Sequence, residues 1–282
     1  MVVYNITMNY RVEKNKIILE KHEDFDISQI LECGQIFRFK KLDDGSYVVY
    51  FKDNYARVYD AYDNVIIETN DVNAAVGFFD LNRDYGNIKN SLSQHKLLFD
   101  PVKYGHGIRI LKGDPEEIIF SFIISANNNI KRIQKIIDKL CELGEDKGDY
   151  RSFPKAKDIM SASDDFMESL HAGYRAPYLK KTAEILINTD LEEKAKLSTP
   201  ELKKWLMTLS GVGPKVASCI LLFGFSRFDV FPVDTWIEKV YRKYYYAGEK
   251  SRPEIEAHFI ELFGDTMSGI AQQYLFYFER QN

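Results

Sequence analysis

Apolar and polar positions divide the chain into two regimes. Up to about residue 70 the apolar residues come in short β-branched and aromatic runs. These are IILEKHEDFDI (17–27), GQIFRFKKL (34–42), GSYVVYFKDNYARVYDAY (45–62) and NVIIET (64–69). Asp43-Asp44-Gly45-Ser46 has the composition of a hairpin turn between two of them. The pattern predicts an antiparallel sheet of about five strands, with LSQHKLLFD (92–100) beginning a helical cover. From about residue 72 the period lengthens. DVNAAVGFFDL (71–81), the long tract 114–144, residues 162–170 and GIAQQYLFYFERQ (269–281) carry apolar residues at helical spacing. Asp114-Pro115-Glu116-Glu117 is a helix start, with an Asp cap, Pro in the first position and acids in the first turn. The two regimes meet at Tyr104-Gly105-His106-Gly107, with no repeat and no low-complexity linker. The expected fold is α+β: a twisted antiparallel β-sheet domain with covering helices over 1–105, then a mostly α-helical region over 106–282.

Composition narrows the class. The chain has 282 residues, 45% of them hydrophobic, which is enough for a real core. Phe (19) and Tyr (18) are abundant, which suits a large core and surfaces that stack on rings. A net charge of −4 argues against a wholly basic nucleic-acid binder, but not against a local basic face. Three cysteines, Cys33, Cys141 and Cys219, lie far apart. They make neither a disulfide framework nor a Cys-x-x-Cys site, and a chain with three cannot ligate an iron–sulfur cluster alone. The start, MVVYNITMNYRVEKNK, lacks the signature of a secretion signal. No apolar run approaches the ~18 residues of a membrane span. A protein that is not secreted and not membrane-bound is expected.

The densest chemistry lies between Glu201 and Asp234. ELKKWLMTL and PKVASCILLFG form two helical segments, joined by Leu209-Ser210-Gly211-Val212-Gly213. Pro214 suits the first position of the second helix. The glycines permit positive φ and close approach. Free N–H groups and the helix dipole make such a start able to grip a phosphate. An ordinary packing hairpin leaves Lys215 unexplained. A cation at a helix N-terminus opposes the dipole, by ~0.3–1 kcal/mol where exposed. The same field, with partial burial, favours the neutral amine, which is a nucleophile. Asp234 is a strong helix cap ahead of Thr-Trp-Ile-Glu-Lys-Val-Tyr. Its carboxylate is also placed to face Lys215 and stabilise a developing positive charge.

The hairpin, Lys215 and Asp234 together resemble the helix-hairpin-helix superfamily of DNA glycosylases, with the lysine of its bifunctional members. The resemblance extends through Gly34-Gln35-Ile36-Phe37-Arg38-Phe39, Asp114 to Arg132, Gly173-Tyr174-Arg175-Ala176 and Ala271-Gln272-Gln273-Tyr274-Leu275-Phe276. These are similar to the 8-oxoguanine DNA glycosylase family, in order from residue 34 to 276. The resemblance implies a bifunctional glycosylase/AP lyase, monomeric, acting on double-stranded DNA that contains a damaged base. Lys215 is then the Schiff-base nucleophile and Asp234 its partner. Gly34 offers a main-chain carbonyl to the base, Cys219 and Phe276 sandwich it, and Gln272 reads its Watson–Crick edge. Phe223 lines the same pocket. Asn127, Arg132, Tyr174 and Arg175 fill the gap and meet the estranged base. Gly211, Val212, Gly213, Lys215 and Trp236 contact phosphate; Trp236 stands where histidine is frequent in the family. No cofactor is required. The resemblance also implies a monovalent or calcium ion on the main-chain carbonyls of Met207, Leu209 and Val212. Taken singly, several of these residues read as structure: Asn127-Asn128-Asn129 as a polar helix junction, Tyr174 as a half-buried aromatic, Cys219 and Phe276 as core. A glycosylase for another oxidised or alkylated base, or a non-catalytic DNA-binding module, stands as the alternative.

Overall fold

The computed structural model of the chain describes residues 8–20, 23–245 and 250–281. The opening MVVYNIT, where no secretion signal is expected, lies outside the described residues, as do Lys21 and His22 of the first strand-like run.

Six strands form one antiparallel sheet: β1 (Tyr10–Glu13), β2 (Lys16–Glu20), β3 (Phe39–Lys41), β4 (Tyr47–Phe51), β5 (Asn54–Ala61) and β6 (Asn64–Thr69). Their spatial order is β1-β2-β6-β5-β4-β3. The strand beyond the expected five is β1, a nearly exposed edge (YRVE) with no apolar alternation to announce it. The 43–46 turn joins β3 to β4 as expected, with Gly45 at φ 83°. Strands β4 and β6 alternate buried and half-buried residues, so one face of the sheet carries its core. Two runs shrink on folding. IILEKHEDFDI leaves the sheet at Glu20, and Asp26 caps a helix, α1 (Ile27–Glu32), by accepting from the amides of Ser28 and Gln29. In GQIFRFKKL only Phe39–Lys41 pairs as strand, because Gln35 and Arg38 turn inward to satisfy buried polar groups.

The helices that follow are α2 (Val72–Phe78), α3 (Tyr85–Leu92), α4 (Phe99–Tyr104), α5 (Pro115–Ser125), α6 (Ile130–Leu140), α7 (Ala156–Ser161), α8 (Asp164–Ser169) and α9 (Ala176–Leu186). Then come α10 (Leu191–Lys194), α11 (Thr199–Leu206), α12 (Pro214–Gly224), α13 (Thr235–Tyr245), α14 (Arg252–Phe263) and α15 (Ser268–Gln281). LSQHKLLFD falls within the expected helical cover: Leu92 ends α3, turns fill 93–98, and Phe99 and Asp100 begin α4. Asp114 caps α5 through the Glu117 amide at 3.2 Å, with Pro115 first, as expected. The 114–144 tract is two helices. It breaks at Asn127, which takes φ 49°, and Asn129 caps α6 through the Arg132 amide at 3.0 Å.

Two apolar cores result. One lies under the sheet and takes Leu111 from the helical half. The other fills the helices and takes Cys33 and Phe37 from the loop after α1. The sheet and helices are joined by a buried ion pair, Arg38 Nη1 to Glu117 Oε2 at 2.9 Å. This crossing of the chain brings the turn after α1 against α15, and α5 against α12.

Candidate active site

The hairpin forms as the glycines require. Gly211 sits at φ +84°, and a Cβ there would meet Cδ2 of Tyr178 at 2.8 Å. Only glycine suits both demands. Gly213 has open space around it and begins α12, whose first turn has no side-chain cap. Its free amides point out of the helix end and carry partial positive charge.

Lys215 lies in that first turn, half-buried, with Nζ 5.7 Å from the centroid of the Phe122 ring on α5. Cys219, one turn on, is buried beside it. Asp234 caps α13: its Oδ1 accepts from the amides of Trp236 and Ile237, both at 3.0 Å. Among the described residues, the carboxylate and the amine make no contact ion pair, but the carboxylate acts on the amine through space. Burial pulls the Lys215 amine down. Cys219 and Asp234 push it up harder, so the net direction is up. The amine is not shifted toward its neutral form as expected, because Cys219 and Asp234 outweigh burial. Burial pushes the Cys219 thiol up in turn, and Lys215 pulls it partly back. A cleft of about 470 Å³ opens along Gly213, Lys215, Val233, Arg252 and Glu256.

The second group of predicted residues gathers where α15 meets the turn after α1. Gly34 takes φ +86°, and Cε1 of Phe276 lies 3.5 Å from where its Cβ would be. Among the described residues the Gly34 carbonyl accepts no hydrogen bond. Gln272, one turn before Phe276, is buried. Phe223 is placed one ring back: it stacks on Phe122 at 5.5 Å, inside the core.

The third group is an exposed edge around the α5–α6 break. Asn127 and Arg132 are exposed, and Tyr174 is 51% exposed. Arg175 is not offered outward, against expectation. It is buried, and its guanidinium donates to the main-chain carbonyls of Ala126, Asn127 and Ala172 while lying under the Tyr174 ring. Its donors go to carbonyls of the α5–α6 break and of the turn before Gly173, tying the two loops together. Tyr178 then links this edge to the hairpin, packing on Tyr174 and against Gly211.

Residues 17–119 match the family profile described as the 8-oxoguanine DNA glycosylase N-terminal domain. Residues 120–264 match the HhH-GPD superfamily of base excision DNA repair proteins. An N-glycosylase/DNA lyase of Saccharomyces cerevisiae is 30% identical over 280 residues, covering 84% of this chain and 72% of that protein. The chain belongs to the 8-oxoguanine DNA glycosylase family. N-glycosylase/DNA lyase OGG1 of Arabidopsis thaliana is 34% identical over 193 residues, 62% of this chain; the match spans about half (53%) of the plant protein's length. A solved structure of the Clostridium acetobutylicum 8-oxoguanine glycosylase/lyase, in complex with double-stranded DNA containing cytosine opposite 8-oxoguanine, superposes with a TM-score of 0.90. It is 37% identical and covers 98% of this chain and 99% of its own.

The cation expected at the hairpin would rest on the main-chain carbonyls of Met207, Leu209 and Val212. That of Leu209 already accepts the Val212 amide at 3.2 Å, which leaves it a second lone pair. All-oxygen donors fit a hard cation. Among the described residues no three His, Cys, Asp or Glu side chains gather as a metal site, and no helix is long and apolar enough to cross a membrane. Trp236 is partly exposed at the start of α13, with Lys239 Nζ 4.5 Å from its ring centroid. Three residues beside the candidate site carry no motif: Arg252, Glu256 and Arg280. Arg252 and Glu256 line the cleft; Glu256 holds Lys203 at 2.7 Å and Ser218 at 2.9 Å. Ser251 to Glu254 has capping-box spacing, so the helix start there could have been found, though not its proximity to Lys215.

Proposed function

We propose that the chain is a bifunctional DNA glycosylase/AP lyase that removes 8-oxoguanine from duplex DNA through a Schiff base on Lys215. The observation that carries this is Lys215 itself: a half-buried amine in the first turn of an uncapped, otherwise apolar helix, with a carboxylate acting on it from a second helix start.

The flipped nucleotide enters with its base between Phe276 and Cys219 and its Watson–Crick edge at Gln272, with Phe223 backing the wall. N7 of 8-oxoguanine carries a proton, which the Gly34 carbonyl accepts. In guanine N7 is itself an acceptor, and the two acceptors repel. Lys215, after giving up a proton, directs its lone pair at C1′. The new C1′–N bond forms as the bond to the base breaks, and that electron pair leaves with the base, which takes up a proton. Asp234 stabilises the oxocarbenium-like charge and helps deprotonate the amine. Ring opening gives the iminium. Loss of a C2′ proton then expels the 3′ phosphate and cuts the strand. Asn127, Arg132 and Tyr174 fill the vacated stack, which offsets part of the few kcal/mol of unstacking. Arg175 holds the loop that carries Asn127. The amides of Gly211, Gly213 and Lys215, with the Trp236 indole, grip phosphate, and the Val212 amide closes the turn on the Leu209 carbonyl. Carbonyls of Met207, Leu209 and Val212 would hold a monovalent or calcium ion that adds positive charge at that grip. The protein works as a monomer where the DNA is: nucleoid or cytoplasm in a prokaryote, nucleus in a eukaryote.

Borohydride trapping on duplexes with one lesion each tests this. The native chain should give its strongest covalent adduct on 8-oxoguanine, and Lys215→Gln none. An adduct surviving in Lys215→Gln would remove the lysine from the mechanism. Stronger turnover of an oxidised pyrimidine or an alkylated base would reassign the substrate.

A further inference from the structure

We infer that Arg280 is a positioning residue of the base pocket, fixing the Gly34 turn against Phe276 so that the Gly34 carbonyl is held at one point. This rests on the pocket as proposed above. Gln272, Phe276 and Arg280 are spaced four residues apart on α15, so they share one helix face and Arg280 extends the line of predicted pocket residues. Its guanidinium carbon stands 5.3 Å from the Phe276 ring centroid, a cation–π distance. It also donates to the main-chain carbonyl of Glu32, the last residue of α1. An orphan carbonyl at a helix C-terminus is where a fixed cation is favoured. The same guanidinium is the nearest neighbour of Gly34: Nη1 lies 3.2 Å from where a Cβ would stand.

The adjacent carbonyl is tied as well. Gln273 donates to the Cys33 carbonyl at 2.7 Å. Two successive carbonyls, Glu32 and Cys33, are thus anchored to α15, while the next, that of Gly34, has no partner among the described residues. Discrimination by one hydrogen bond requires the acceptor held to within about 0.5 Å. A left-handed glycine has little rigidity of its own. Arg280 supplies that rigidity while lying against the Phe276 ring.

The test uses the whole chain and two duplexes. One carries 8-oxoguanine opposite cytosine and reports excision; the other carries a preformed abasic site and reports strand cleavage with no base in the pocket. The ratio of the two single-turnover rates isolates the pocket from folding, DNA binding and Lys215. In Arg280→Ala the ratio should fall about tenfold, the usual worth of one charge-assisted hydrogen bond. Arg280→Lys, which keeps the cation and a donor, should restore part of it. If the alanine variant does not fold, Arg280→Gln, which keeps length and loses charge, takes its place in the same ratio. An unchanged ratio, or excision and abasic cleavage falling together, would overturn the role. A native chain that cleaves abasic sites but is inert on 8-oxoguanine would overturn the pocket itself, and this role with it.

Discussion

At Lys215 burial and charge act in opposite directions. Burial disfavours the ammonium, yet Cys219 and Asp234 hold the amine's pKa above its ordinary value. Attack needs the free amine, so the rate of adduct formation should rise as pH rises toward that raised pKa. Removing the carboxylate removes part of the upward push. Asp234→Asn should therefore move the pH profile to lower pH while lowering its maximum, because the oxocarbenium-like charge loses its partner. Borohydride trapping as a function of pH measures both. A profile that stays in place would mean that Asp234 acts on the sugar and not on the amine. The sequence placed both residues at helix starts, but not the sign of the shift. That sign depends on Cys219 and Asp234 converging on one amine, and helical register alone does not put a residue of α13 there.

Among the elements, those with strong local punctuation were legible. Segment α12 runs from Pro214 to Gly224 as its composition demanded, and Asp114 and Asp234 cap as expected. Elements were missed where tertiary contacts outweigh pattern. Strand β1 has no apolar face to show, and α1 is a short helix whose C-terminal carbonyls are satisfied by α15. The 114–144 tract looked continuous because apolar spacing persists across the Asn127 break. The hairpin turn offers a direct measurement. Gly211→Ala meets both a positive φ and the Tyr178 ring at 2.8 Å. It should cost about 2 kcal/mol, read as a lower urea midpoint with unchanged slope. Gly213→Ala, with open space and φ −90°, should cost far less. Equal losses at the two glycines would mean that the turn is not strained toward Tyr178.

At the scale of the whole molecule, sheet and helices meet at Arg38 and Glu117, both nearly inaccessible, with the Lys52 amide also on the carboxylate. Removing one partner leaves a buried charge alone. Arg38→Met should destabilise by about 3–5 kcal/mol, and adding Glu117→Leu should recover much of the loss; denaturant unfolding of the single and double variants checks it. If the double variant loses as much as the two singles combined, the pair is not coupled. The sequence by itself determined the α+β order, the hairpin with its lysine, and the caps, because each is dictated by contacts within a few residues. Its motifs also resembled the 8-oxoguanine DNA glycosylase family to which the chain belongs. Tertiary structure alone decided that Gly34 abuts Phe276, that Arg175 faces inward and that Arg280 reaches Gly34 and Phe276. Those facts join residues such as Glu32 and Arg280 from opposite ends of the chain, and no local propensity or period records how two distant elements will cross.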